Sequence, residues 1–108
     1  MAYEYAEYIP VLKALADETR LKIIDMLSCG ELCACKILGQ FSITQPTVSY
    51  HMKILTECGL VTARRDGAWM HYSLSKERAC ELTEYLGILI SPKEGCICNK
   101  EDSCCGKK

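Results

Sequence analysis

Cysteine is the residue type with the clearest chemical potential, because it occurs nine times in 108 residues. Four cysteines lie within the last thirteen residues, and two more form a Cys-x-Cys pair. An odd number of cysteines in a reducing compartment indicates metal ligation or redox chemistry rather than a disulfide framework. Clustering favours ligation, since a soft ion needs several thiolates that converge on one point. The candidate metal ligands are Cys33, Cys35, Cys96, Cys98, Cys104 and Cys105.

The remaining three cysteines, Cys29, Cys58 and Cys80, occur singly and are interpreted as structural thiols. Burial as small apolar side chains is also the competing interpretation of the Cys33 and Cys35 pair. For the four cysteines near the end of the chain, the competing interpretation is an incidental scavenging or redox segment.

A second set of polar side chains could contact DNA. The segment 45–58 has the periodicity of a helix whose apolar stripe is Val48, Met52 and Leu55. Its remaining surface carries hydrogen-bonding side chains of moderate length, as does a helix that lies in a DNA major groove. Two arginines beside the tip of a predicted hairpin could contact phosphates, or could simply be solvated. The candidate DNA-binding residues are Gln45, Thr47, Ser49, Tyr50, His51, Lys53, Arg64 and Arg65.

Charge and composition agree with this interpretation. Residues 40–76 hold four basic and two acidic side chains, so this part is net positive in a chain of formal charge −1. The sequence lacks a nucleophile–base set, paired carboxylates and a glycine-rich phosphate loop, so we do not expect an enzyme. No apolar run approaches the length of a membrane span, and the N-terminus does not resemble a secretory signal. We therefore expect a cytoplasmic protein with no membrane partner.

Several helices and a hairpin must position these residues. Asp17, Thr44 and Ser75 are predicted helix N-caps, because each precedes a run with helical periodicity. An N-terminal helix is interrupted by Pro10, which predicts a kink or a later start. A short helix is predicted over about residues 31–39. The two strand-like runs 60–65 and 68–74 flank Asp66-Gly67, which predicts a hairpin with those two residues as its turn.

This element order predicts a fold that is mainly α with a small β-hairpin. Specifically, it predicts a winged helix-turn-helix with N- and C-terminal dimerisation helices. We expect residues 1–90 to form the DNA-binding and dimerisation domain. Residues 91–108 contain one aliphatic side chain and are predicted to be a flexible cysteine-rich tail.

Four stretches of the sequence resemble the ArsR/SmtB family of metal-responsive bacterial repressors: residues 15–21, 30–35, 45–51, and 65–67 with 71–72. The Glu-Leu-Cys-Ala-Cys motif at 31–35 is similar to the sensing motif of the arsenic- and cadmium/lead-responsive branches. The resemblance implies a homodimer that binds an inverted-repeat operator in double-stranded DNA and represses detoxification genes until an inducer binds. It favours As(III) or Sb(III) as the inducer, and Cd(II), Pb(II) or Zn(II) would be the next candidates.

The chain departs from the family pattern at one position. Arsenic sensors of the best-known type carry a third cysteine three positions after the second, and here that position is Leu38. The third sulfur could come from the tail, the whole site could lie in the tail, or two thiolates could suffice. Two further functions are compatible with the cysteine content: a thiol-redox repressor of the same fold, and a cysteine-rich metal-buffering protein.

The spacing of Cys33 and Cys35 suggests how an inducer could act on DNA binding. On a helix, side chains two residues apart diverge by about 200° and do not face each other. We therefore expect that an ion bound to both thiolates distorts the start of the short helix that supports the recognition helix.

Overall fold

The computed structural model describes residues 5–92, which form five helices and three strands. In chain order these are α1 (Tyr5–Leu15), α2 (Glu18–Leu27), β1 (Leu32–Cys33), α3 (Ala34–Leu38), α4 (Gln45–Glu57), β2 (Val61–Asp66), β3 (Trp69–Leu74) and α5 (Lys76–Ile90). The predicted fold, mainly helical with a small antiparallel sheet, is confirmed. No helix within the described residues is both long and apolar enough to cross a membrane.

The three predicted N-caps are confirmed. The side chains of Asp17, Thr44 and Ser75 accept hydrogen bonds from backbone N–H groups in the first turns of α2, α4 and α5. Each bond satisfies a donor that the helix itself leaves without a partner. The start of the recognition helix is therefore determined locally, by a threonine followed by Gln45 and Pro46.

The N-terminal helix does not start at Pro10. α1 begins at Tyr5 and runs through the proline, which is the sixth of its eleven residues. Tyr8, Val11 and Ala14 are buried on both sides of Pro10, so tertiary packing maintains the helix across it.

The sheet has one strand more than the predicted hairpin. The strand order is β1-β3-β2, and both pairs are antiparallel. Leu32 and Cys33 pair with Tyr72 and His71 of β3, so α3 begins at Ala34 and the predicted helix over 31–39 is wrong at its start. Pairing with the free edge of β3 satisfies backbone groups that a first helical turn would leave open.

The hairpin turn lies one residue later than predicted. Asp66 pairs with Trp69, so the turn residues are Gly67 and Ala68. Gly67 has a φ of 65°, and no non-glycine residue in the described range has a positive φ. A turn with positive φ at its first central residue alone is of type II′, which places glycine at that position.

The core lies between the helices and one face of the sheet. Its fully buried side chains come mainly from α2, α3 and α4 and include Ile23, Leu27, Ile37, Met52 and Leu55. The predicted apolar stripe of α4 is confirmed, since Val48, Met52 and Leu55 are all buried. The opposite side of α4 is thereby left at the surface.

Candidate thiol site and DNA-contacting surface

Cys33 and Cys35 lie at the junction between β1 and α3. Cys33 is the N-cap of α3 and has an extended backbone, with φ −72° and ψ 149°. Its Sγ lies 2.8 Å from Sγ of Cys35, and it accepts a hydrogen bond from the Cys35 backbone N–H at 3.4 Å. The expectation that the two side chains diverge is wrong, because Cys33 precedes the helix. The two thiols form a close pair while α3 stays regular.

The two thiols of this pair differ in acidity. The hydrogen bond from the Cys35 side chain lowers the pKa of Cys33, and the backbone N–H groups of Cys35 and Lys36 add to this effect. The same side-chain hydrogen bond raises the pKa of Cys35, since its loss of a proton would place a second negative charge beside Cys33. The first proton therefore leaves Cys33, and the resulting thiolate is the nucleophile and soft ligand of the pair.

The described residues supply two sulfur ligands at this site. Within residues 5–92, no group of three or more His, Cys, Asp or Glu side chains could hold a metal ion. Cys29, Cys58 and Cys80 are free thiols that lie apart from the pair. The four tail candidates, Cys96, Cys98, Cys104 and Cys105, lie outside the described residues.

Most of the predicted DNA-contacting side chains of α4 lie at the surface. Gln45, Ser49, Tyr50 and Lys53 are exposed, and the Tyr50 side chain is among the most accessible of the large ones, at 60%. Thr47 is half-buried, with its Oγ1 3.0 Å from Oγ1 of Thr44. One face of the helix therefore presents an amide, a hydroxyl, a phenol and an ammonium group to solvent, a set suited to base edges and phosphates.

The structure corrects the assignment of His51 to this face. His51 is only 9% exposed, because it lies three residues after Val48 and so falls on the buried side of the helix. Its Nδ1 accepts a hydrogen bond from Nη1 of Arg20 at 3.0 Å. His51 therefore connects the recognition helix to α2 from the inside and does not lie on the exposed face.

Arg20 is the residue of this region that the sequence analysis missed. Its Nε donates to the carbonyl oxygen of Ala14 at 2.6 Å, and its backbone N–H donates to Asp17. That backbone hydrogen bond is the main reason that the pKa of Asp17 is lowered. One guanidinium thus joins the end of α1 and the interior face of α4 at the start of α2. Sequence carries no signal for a contact between residues 31 positions apart.

The two wing arginines have different surroundings. Arg64 makes two hydrogen bonds to the Glu31 carboxylate, at 2.8 and 3.2 Å, and lies 3.9 Å from Asp66. The Arg64 hydrogen bond holds the pKa of Glu31 below its usual range. Arg65 is exposed and forms no ion pair with any residue between 5 and 92. The wing therefore offers one uncompensated cation, while Arg64 connects the wing to the residue two before Cys33.

Comparison with known proteins agrees with this geometry. The model of a family described as "Bacterial regulatory protein, arsR family" matches residues 17–63. The chain is similar to an arsenical resistance operon repressor of Staphylococcus aureus, with 42% identity over 99 residues that cover 92% of this chain and 95% of the relative. It is also similar to a cadmium resistance regulatory protein CadC homolog of Staphylococcus aureus, with 39% identity over 75 residues, 68% of this chain and 62% of the relative.

Among solved structures, the homodimeric winged helix-turn-helix DNA-binding domain of a Mycobacterium bovis protein matches with a TM-score of 0.65 and 31% identity. The match covers 78% of each chain. It confirms the prediction of a winged helix-turn-helix.

Proposed function

Because the chain belongs to the arsR family of bacterial regulatory proteins, we propose that it represses an arsenical resistance operon and leaves its operator when cysteine thiolates bind As(III) or Sb(III). The observation that carries this proposal is the pair of thiols 2.8 Å apart at the start of α3. Two adjacent soft donors, one with a lowered pKa, suit a thiophilic metalloid. We place this activity in the cytoplasm, where DNA and reduced thiols coexist.

The DNA-binding half of the proposal depends on α4 and the hairpin. Gln45, Ser49, Tyr50 and Lys53 would face a major groove, with Thr47 at its edge. Arg65, and Arg64 once its pairing with Glu31 opens, would bind phosphates beside the wing. A single recognition helix reads only a half-site, so the proposed operator is an inverted repeat bound by a dimer.

The proposed dimer uses α1 and α5. The rings of Tyr8 and Tyr85 stack with centroids 4.0 Å apart, which holds these two helices together within one chain. Apolar side chains nearby remain at the surface, including Ile9, which is 42% exposed, and Ile90, which is 79% exposed. A second copy would cover this surface, as in the homodimeric Mycobacterium bovis domain.

The location of Cys33 suggests how the two halves are coupled. Cys33 pairs with His71 in the wing strand β3 and also caps α3, which packs against α4. A ligand held by both sulfurs would restrain this junction, and a shift there would move the wing, the recognition helix or both. A 100-fold loss of DNA affinity requires a coupling of only about 2.7 kcal/mol.

The tail offers a way to complete the sulfur set. A pyramidal As(III) takes up to three thiolates, and Cys96, Cys98, Cys104 or Cys105 could supply the third from the same chain or its partner. Cd(II), Pb(II) or Zn(II) would need further ligands in the same way, and they are the second choice of inducer within this proposal. Thiol oxidation is a different candidate signal, because two sulfurs this close could form a disulfide on reaction with peroxide.

The test is the binding of DNA from the protein's own promoter region, measured by fluorescence anisotropy with fully reduced full-length protein. Arsenite is expected to weaken binding at least tenfold, and Cys33→Ser and Cys35→Ser are expected to abolish the response. Cys80→Ser is the matched control, since Cys80 is an exposed single thiol on α5. Parallel titrations with cadmium, zinc and peroxide distinguish the candidate signals. Binding that no thiophilic ion alters would contradict the proposal.

A further inference from the structure

A cavity of about 300 Å³ adjoins the thiol pair. It lies between α3, α4 and the hairpin, and Cys35 forms part of its wall. Most of the remaining wall is apolar and includes Leu38, Val48, Met52, Trp69 and Met70. An atom bound to the Cys35 sulfur thus lies close to an apolar space.

The valence of trivalent arsenic determines what could fill this space. Arsenic forms three bonds, and the Cys33–Cys35 pair supplies two sulfurs. With inorganic arsenite, the third substituent would be a hydroxyl group beside an apolar wall, where burial without a partner is unfavourable. The side chain three positions after Cys35 is Leu38, which contributes a hydrocarbon surface to the same cavity instead of a third thiol.

Resting on the function proposed above, we propose that this site accepts monosubstituted trivalent arsenicals, with the carbon substituent in the cavity. The exchange needs no oxidant or reductant. R–As(OH)₂ reacts with two thiols so that two As–O bonds break and two As–S bonds form. The thiol protons leave with the hydroxyl groups as two water molecules, and the As–C bond stays intact.

The cavity is large enough for a substituent the size of a phenyl ring, since cavities of about 150 Å³ bind benzene. Burial of a side chain of that size favours binding by roughly 10- to 100-fold, or about 1.4–2.8 kcal/mol. A thioether from Met52 and one from Met70 add polarisable contacts suited to an aromatic ring.

The same cavity provides a route from ligand to DNA. Gln45 and Ser49, two of the predicted DNA-contacting residues, also line it, as does Ala68 of the wing turn. A substituent bound there would occupy the space between the recognition helix and the wing. It would thereby separate two elements that must contact the same stretch of DNA.

Trp69 is the only tryptophan in the sequence, so its fluorescence reports on the cavity directly. We would titrate the reduced full-length protein with arsenite and with phenylarsine oxide, each in competition with dithiothreitol to correct for intrinsic thiol affinity. The corrected preference for phenylarsine oxide is expected to be roughly 10- to 100-fold. Ala68→Leu, which fills the cavity from its rim, is expected to remove most of that preference and leave arsenite binding within about twofold.

Ala63→Leu is the matched control, because Ala63 is exposed on β2 of the same hairpin and does not line the cavity. It should bind phenylarsine oxide as the unaltered protein does. Equal affinity of Ala68→Leu and the unaltered protein for phenylarsine oxide would overturn this inference, as would a preference that survives Cys35→Ser. If arsenite still released DNA in a Cys33-dependent way, the proposed function would stand without it. If neither arsenical needed Cys33, both proposals would fail.

Discussion

At the scale of single residues, the chemistry of the thiol site depends on where Cys33 lies relative to α3. One position further into the helix would direct its sulfur away from Cys35, since side chains two apart on a helix do not meet. As the N-cap, Cys33 has an extended backbone and its sulfur returns towards the first helical turn. The pair can therefore bind one ligand without a helix first unwinding.

The difference in acidity within the pair predicts an order of reaction. Because the pKa of Cys33 is lowered and that of Cys35 is raised, Cys33 should react with iodoacetamide first. Its rate should fall as pH drops through the lowered pKa, whereas Cys35 should need more alkaline solution. Mass spectrometry of the alkylated peptides over a pH series measures both rates.

The control for this experiment is Cys35→Ala, which removes the hydrogen bond to Cys33. The Cys33 profile should then move to higher pH, towards that of an ordinary thiol. Identical profiles for Cys33 in the two proteins would show that the side-chain hydrogen bond does not set its acidity.

Residue types were predictable from sequence, but several of their contacts were not. The cysteine pair and the polar set on α4 follow from spacing alone. The Arg20–His51 and Glu31–Arg64 contacts join residues more than 30 positions apart, and no local pattern encodes such a pairing. His51 was misplaced because hydrogen-bonding capacity was given more weight than its three-residue distance from Val48.

At the scale of elements, the helix starts were the most predictable feature, because each cap is a contact over three residues. β1 was missed because its two residues form a strand only by pairing with β3, about 40 positions later. The turn was displaced by one residue since both Asp66-Gly67 and Gly67-Ala68 are compatible with a two-residue loop. Strand pairing selected the second.

The cap of the recognition helix predicts a defined loss of stability. Thr44→Ala removes the acceptor for the Thr47 backbone N–H and should lower the free energy of unfolding by about 1 kcal/mol. Chemical denaturation measures this change. Thr83→Ala is the matched control, since Thr83 is exposed within α5, where alanine is the better helix former, and should cost no stability. Equal losses for the two variants would contradict the capping role.

At the scale of the whole molecule, the apolar surface of α1 and α5 is the feature that one chain leaves incomplete. Tyr8 and Tyr85 stabilise the contact between these helices, while Ile9, Ile88 and Ile90 stay exposed beside it. A chain of 108 residues has a small core, so association would add apolar burial that the monomer lacks.

This surface predicts the effect of a charge on association. Ile9→Glu should shift the protein from dimer to monomer and weaken operator binding, because a carboxylate buried in the interface would lack a partner. Light scattering after size-exclusion chromatography measures the mass. Leu21→Glu is the control, since Leu21 is 51% exposed on α2 and should tolerate the charge as a dimer. A dimeric Ile9→Glu protein would place the interface elsewhere.

The Glu31–Arg64 pair has a consequence for how tightly the protein can hold DNA. Glu31 is an internal counter-ion, and a phosphate that approaches Arg64 must compete with a carboxylate already in place. This competition lowers the sequence-independent attraction to DNA, which depends on the number of cations free to neutralise phosphates. A complex held with such restraint can be dissolved by a small signal. The acidic residue at the head of the cysteine motif would then set the threshold for derepression.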